Sequence, residues 1–179
     1  MLLRAEEKDI ATYADLAYAC ALQGNTSSYP CYADGIKTKA DFLSAAHRAV
    51  QAQTEELLLF SENGRVLGWL SYEWIAQDKY LALQSCNLCD KTAQALTELA
   101  ERLRERFPGY AAYFGFPEEN REAISFLREN GFSCIERSQN HSFFFQKHPP
   151  APFSDPAVVR ITRDNFHMLR AVYHPDAKT

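Results

Sequence analysis

The order of helix and strand patterns along the chain is the feature that most constrains its fold. Helices are predicted where apolar residues recur every three or four positions, and strands where short apolar runs are bounded by turn residues. Asn63-Gly64, between two apolar runs, predicts a hairpin. The predicted strands are 2–5, 56–61, 66–75, 80–88, 110–116, 132–137 and 142–146, and the predicted helices are 6–22, 38–51, 91–107 and 120–130. This β-α-α-β-β-β-α-β-α-β-β order predicts an α/β (α+β) protein, with a mixed, mostly antiparallel sheet of 6–7 strands flanked by about four helices.

The last predicted helix has both of its ends marked in the sequence. Asn120 can cap the first turn, and Gly131 can supply the left-handed residue that ends a helix. Ala123, Ile124 and Leu127 fall on one face at helical spacing. This segment resembles the last conserved helix of the GNAT acyltransferases. The resemblance extends over residues 1–148, because the predicted order of elements is also the order in that family.

The resemblance implies an acetyl-CoA-dependent N-acetyltransferase that acts on a small-molecule or peptide amine. In this family a Gly-rich, basic loop after the fourth strand wraps the pyrophosphate of coenzyme A. Backbone N–H groups at a helix N-terminus attract an anion, and glycine lets the anion approach closely. The resemblance assigns the cofactor-binding role in this chain to Gln84, Ser85, Cys86, Lys91, Thr92 and Asn120.

Two departures from the family pattern predict weak or absent binding of acetyl-CoA. Residues 84–92 contain no glycine, and Asp90 adds a repulsive charge beside Lys91. Leu127 stands where many members have a Tyr that protonates the leaving thiolate. The alternative function is therefore a catalytically degenerate GNAT domain, a structural or substrate-shaping module beside a second domain. For Lys91 and Thr92 the alternative role is a solvated first helical turn, and for Asn120 it is the helix cap.

Glu73 is the candidate general base that would deprotonate the amine. It is a lone acidic residue in an otherwise apolar strand, and burial would tune its proton affinity. The alternative is a carboxylate on the solvent-facing side of an antiparallel strand. A third reading of the chain is a small-molecule binding module, in which the aromatic residues of 29–32 act with Tyr72 and Trp74.

The five cysteines do not form a metal-binding or disulfide pattern. Cys86 and Cys89 have CxxC spacing, but a zinc site needs two further ligands, and the other three cysteines are isolated. No metal is predicted, and buried structural thiols are favoured over a redox pair. An odd number of cysteines favours a reducing compartment, the cytoplasm.

The C-terminal part of the chain differs from the rest. Residues 149–157 form a Pro-rich linker, and residues 158–179 resemble the start of the chain. In both segments a short strand pattern with an Arg precedes polar residues and an apolar helical residue, which can mark a repeat. This tail is predicted to begin a second GNAT-like domain, and the alternative is a tail that packs on the first. A second GNAT-like domain or a homodimer is the expected protein partner.

Composition excludes two classes of partner. The net charge of −4 gives no electrostatic reason to expect nucleic acid. No apolar stretch approaches the roughly 18 residues of a membrane span, and no secretory signal is predicted, because charged residues follow the first few positions directly.

Overall fold

One five-stranded sheet forms the centre of the described protein. The structure, a computed structural model, describes residues 1–139 and Thr162. The elements are β1 (Leu2–Arg4), α1 (Glu7–Ala21), α2 (Lys39–Gln51), β2 (Glu55–Glu62), β3 (Arg65–Ile75), β4 (Tyr80–Leu88), α3 (Thr92–Arg106), β5 (Ala111–Tyr113) and α4 (Arg121–Glu129). Up to α4 this is the predicted order.

The strands lie in chain order across the sheet. Neighbouring strands from β1 to β4 are antiparallel, and β5 is parallel to β4. Parallel neighbours need a crossover connection, and α3 supplies it between β4 and β5. The sheet is therefore mixed and mostly antiparallel, as predicted.

The sheet has a core on each face. Leu58 and Leu70 belong to the core that contains α3 and α4. Leu57 and Trp69 belong to the core that contains α1 and α2, where the Trp69 ring stacks on Phe42 with 5.0 Å between centroids. Because successive side chains of a strand point to opposite faces, the apolar runs of β2 and β3 fill both cores.

Two irregularities shape the long strands. Gly68 pairs with Phe60 and Val66 pairs with Ser61, so Leu67 is the extra residue of a bulge in β3. A second bulge lies in β4, where Ser71 pairs with Ser85 and Tyr72 with Leu83, which leaves Gln84 unpaired. The second bulge lies in the stretch of β4 that the resemblance assigns to the cofactor.

The turns and helix caps predicted from short sequence motifs are present in the structure. The hairpin at Asn63 and Gly64 is confirmed, and both residues have positive φ, 50° and 78°. Thr38 caps α2 by accepting from the Asp41 N–H, and Gly131 has the left-handed φ of 77° expected at the end of α4.

Two predictions about the C-terminal half need correction. Residues 132–137 form no strand, so the described residues contain five strands, and the further predicted strand 142–146 lies outside them. Apart from half-buried Phe132, that segment is exposed, with Ile135 at 76%, so it has no apolar face to bury. On α4, Phe126 is buried with Ala123, and Ile124 and Leu127 are only half-buried.

Several expectations fall outside the described residues. These are the strand 142–146, the linker 149–157 and nearly all of the tail 158–179. Within the described residues, every helix is too short or too polar to cross a membrane.

Candidate functional site

Strands β4 and β5 pair over three residues and then separate. The pairing runs from Tyr80 with Ala111 to Ala82 with Tyr113. In the described part of the chain, residues 83–88 of β4 have no strand beside them on the β5 side. We call this opening in the sheet the β4–β5 gap.

Residues 26–29, which we call the closing segment, occupy the β4 side of this gap. They belong to the irregular connection 22–38 between α1 and α2. The Leu88 N–H donates to the Thr26 carbonyl at 3.1 Å, and the Cys86 N–H donates to Ser28 Oγ at 2.8 Å. These are alternate amides of β4 that point away from β3, so the closing segment takes the place of a neighbouring strand.

The closing segment is also bonded on the far side of the gap. The Tyr29 N–H donates to the carbonyl of Gly115, shortly after β5, at 2.9 Å. The Asn120 side chain donates to the Ser27 carbonyl at 2.9 Å and accepts from the Ala123 N–H at 3.1 Å. Asn120 is fully buried, and its amide nitrogen and amide oxygen each have a partner, one in the closing segment and one in the first turn of α4.

The N-terminus of α3 begins at Lys91, which has a left-handed φ of 61°. The Lys91 N–H donates to the carboxylate of its neighbour Asp90 at 2.8 Å. Its ammonium lies 3.8 Å from the Glu62 carboxylate. The positive charge that the resemblance assigns to the pyrophosphate thus lies near the Glu62 carboxylate, and the backbone N–H of the same lysine is bonded to Asp90.

The first turn of α3 is occupied by a side chain from α4. The Ala93 N–H donates to Glu122 Oε2 at 3.3 Å. Thr92 is only 4% exposed. An anion approaching the first turn of α3 therefore meets the Glu122 carboxylate, and the Thr92 side chain is turned into the protein.

Among the candidate residues of β3 and β4, the side chains of Glu73, Gln84 and Ser85 lie on the face where α1 and α2 pack. Ser71 and Ser85 share a hydrogen bond of 2.7 Å between their hydroxyl groups. Glu73 is paired across the sheet with Glu55, and Gln84 stands at the bulge beside Ser85. Cys86 points to the opposite face, into the core beneath α3 and α4. The structure therefore separates Cys86 from Gln84, Ser85 and Glu73.

A cleft of about 470 Å³ lies between α2 and this face of the sheet. Arg48 Nε donates to Glu55 Oε1 at 2.9 Å, whereas Glu55 Oε2 is buried without a hydrogen bond partner in the described part of the chain. The cleft has aromatic, charged and hydroxyl-bearing walls, which include Tyr32, Lys37, Asp41, Phe42, Arg48, Glu55, Trp69, Ser71, Gln84 and Ser85.

Sequence reasoning missed the closing segment, Glu122 and Glu55. The one available signal for the closing segment was the length of the irregular connection 22–38, since long connections in compact domains often have a specific role. Nothing local marks Glu122 or Glu55, because their importance arises from contacts with other elements.

The CxxC cysteines are in different environments. Cys86 is 1% exposed and Cys89 is exposed, so the prediction of buried thiols is confirmed for Cys86 and wrong for Cys89. Burial, followed by the charge of nearby Cys20, raises the pKa of the Cys86 thiol to about 12, and burial raises that of Cys20 to about 11. Within the described residues, no group of three or more His, Cys, Asp or Glu side chains can hold a metal.

We expect a thiol reagent at pH 8 to modify two groups of cysteines at different rates. Exposed Cys89 and Cys134 should react at least roughly 100-fold faster than Cys20 and Cys86, because buried thiols with raised pKa form little thiolate. Mass spectrometry of timed samples measures the rate at each site, and denaturant serves as the control that makes all sites reactive. Equal rates at Cys86 and Cys89 in the folded protein would contradict this assignment and restore the redox-pair reading.

The chain is similar to known proteins in its structure and not in its sequence. No protein-family model and no curated protein matches the sequence. Spermidine N-acetyltransferase from Vibrio cholerae, in complex with CoA and spermine, is 12% identical with a TM-score of 0.52, and the match covers 73% of this chain and 79% of that chain.

Two further structures match nearly their whole length. A predicted acetyltransferase with acetyl-CoA from Clostridium acetobutylicum is 11% identical with a TM-score of 0.52, covering 84% of this chain and 99% of that chain. A transcriptional regulator from Bacillus halodurans C-125 is 12% identical with a TM-score of 0.57, covering 80% and 99%. The chain therefore has the fold of the GNAT acetyltransferases, as its sequence predicts, and identity this low establishes the fold alone.

Proposed function

We propose that this chain is a GNAT-fold domain that does not transfer acetyl groups from acetyl-CoA by itself. It acts instead as a structural or substrate-shaping module beside a second GNAT-like domain, which would begin near residue 158. One observation carries the proposal: groups of the chain itself occupy positions that the resemblance assigns to the cofactor. Ser28 accepts from the Cys86 N–H, and Asn120 is bonded to Ser27 and to the first turn of α4.

Electrostatics at α3 supports the same conclusion. A helix N-terminus stabilises an exposed anion by only ~0.3–1 kcal/mol. Asp90 and Glu122 lie at this N-terminus, and the Lys91 ammonium is already close to Glu62. Each unit charge about 4 Å from a phosphate contributes ~1 kcal/mol even in water, so the carboxylates offset the attraction of the helix. No glycine between residues 84 and 92 lets the backbone approach the phosphate instead.

The position of the family's proton donor holds a residue that cannot donate a proton. Acyl transfer from a thioester releases a thiolate, which a general acid stabilises. Leu127 occupies the position of the family's Tyr and packs against the core beneath α3 and α4. An aliphatic side chain cannot supply the proton.

We expect acetyl-CoA at 1 mM to give no binding heat and a Tm shift below about 0.5 °C, because a ligand stabilises a protein only when its concentration approaches its Kd. Isothermal calorimetry and thermal unfolding measure the two quantities. The matched control is the double variant D90N/E122Q, which removes two carboxylates at α3. It should also fail to bind, since the β4–β5 gap remains filled. A Kd below about 1 mM for the natural sequence would overturn the proposal.

The second candidate is the acetyl-CoA-dependent N-acetyltransferase that the resemblance implies. It is supported by the matched structures described with CoA and with acetyl-CoA. It is also supported by Glu55 and Glu73, which lie opposite each other on neighbouring strands. Two carboxylates side by side would attract a positively charged amine substrate. In this reading Glu73 is the general base. Release of coenzyme A thiol in the presence of spermine or a peptide amine, abolished in E73Q and retained in E101Q, would establish it.

A cytoplasmic location accompanies either function. The five cysteines are free and only Cys86 and Cys89 lie close together in the sequence, and unpaired thiols persist in a reducing compartment.

A further inference from the structure

The closing segment fills the β4–β5 gap and bonds to both of its sides. We propose that this segment is a permanent, built-in replacement for an external ligand, which keeps the domain folded without a cofactor. The inference rests on the proposed function and deepens it, because it states what holds the cofactor position closed.

The first support is the distribution of hydrogen bonds. On one side Thr26 and Ser28 accept from two alternate N–H groups of β4. On the other side Tyr29 donates to Gly115, and Ser27 accepts from Asn120. Without the segment, these buried N–H groups of β4 would lack partners, which is costly inside a protein.

The second support is the connection to α1. Thr26 Oγ1 donates to the Cys20 carbonyl, in the last turn of α1, at 2.8 Å. The Thr26 N–H donates to the Gln23 carbonyl at 3.2 Å. The segment is therefore attached to the helix that precedes it as well as to both sides of the gap, and it has no free end that would let it swing outward.

The third support is how closely the backbone is packed. Ser27 and Ser28 are 0% and 1% exposed, and their small side chains fit between the strands. A Cβ atom added to Gly115 would lie 3.2 Å from Cβ of Tyr29, and one added to Gly24 would lie 3.2 Å from Cβ of Glu119. Glycine thus allows close approach at the segment and just before it, which is typical of an integral part of a fold.

Amide hydrogen exchange, followed by NMR on the full chain, tests permanence directly. The Cys86 and Leu88 amides face the closing segment, and the Asn87 amide between them points toward β3. We expect the three amides to exchange at rates within roughly 10-fold of one another and to accelerate together in denaturant. Exchange of Cys86 and Leu88 at least roughly 100-fold faster than that of Asn87, without denaturant dependence, would show a lid and overturn the proposal.

A substitution provides the second test. S28A removes the acceptor of the Cys86 N–H, so we expect Tm to fall by roughly 3–6 °C, with acetyl-CoA still unbound. The matched control S133A lies on an exposed residue and should leave Tm unchanged. An unchanged Tm for S28A, or acetyl-CoA binding gained in S28A and absent in the natural sequence, would overturn the permanent closure while leaving the proposed function intact. Binding by the natural sequence would instead overturn the proposed function, whatever the exchange rates.

Discussion

Replacing Glu56 with Ala is expected to lower the free energy of unfolding by about 3 kcal/mol. Glu56 is 4% exposed and accepts hydrogen bonds from Arg102 at 3.1 Å, from Arg106 at 2.8 Å and from the Tyr72 hydroxyl. Removing one partner of a buried ion pair costs ~3–5 kcal/mol. The lower end applies here, because Arg102 and Arg106 are 35% and 42% exposed and can turn toward water.

Urea unfolding of E56A measures this loss. E101A, on the exposed face of α3, is the matched control and should change the free energy of unfolding by less than about 0.5 kcal/mol. E56Q keeps the shape of the side chain, and its loss of unfolding free energy should lie between those of E56A and E101A. A loss below about 1 kcal/mol for E56A would show that the arginine residues do not depend on this carboxylate.

Replacing Gly68 with Ala is expected to be at least as damaging. Gly68 has φ 141°, which an L-residue rarely adopts, and an added Cβ would lie 2.1 Å from the carbonyl oxygen of Asn87 in β4. Backbone strain of this kind costs ~1–3 kcal/mol, and overpacking in a core costs ~1–3 kcal/mol. Because the clash is with a backbone atom, β3 and β4 must move apart. We therefore expect the free energy of unfolding to fall by the sum of the strain and overpacking costs.

G64A is the matched control for this substitution. Gly64 also has positive φ, 78°, but a Cβ atom there would meet nothing within 4 Å. The free energy of unfolding of G64A should fall only by the cost of backbone strain, about 1 kcal/mol. Thermal unfolding compares the two variants. If G68A and G64A lose the same stability, the contact between β3 and Asn87 does not constrain the fold.

The parts of the fold that were predicted from sequence are those specified by neighbouring residues. The Asn63-Gly64 turn, the Thr38 cap and Gly131 each act over a few positions, so their patterns are visible in the sequence. The strand 132–137 was predicted wrongly, because Phe132 and Ile135 suggest a strand and nothing local shows that the segment is exposed.

The site was less predictable, because its key contacts join distant residues. Ser27 and Ser28 read as ordinary loop residues, and only the separation of β4 from β5 makes them structural. Glu56 looks like a charge at the start of a strand until Arg102 and Arg106 are placed beside it. A sequence pattern shows the spacing of residues within one helix or strand. It therefore does not predict contacts between residues of different elements.

The closing segment has a consequence for the order in which this domain is made. Ser28 and Cys86 are 58 positions apart, and Ser27 and Asn120 are 93 apart. A loop of that length closes only after the elements at its far end exist, and such long-range contacts form slowly. During synthesis Ser28 can therefore accept from the Cys86 N–H only after Cys86 has left the ribosome, and Ser27 can accept from Asn120 only after Asn120 has left it. Until then the nascent chain presents an open sheet edge, which is when it most needs protection from aggregation.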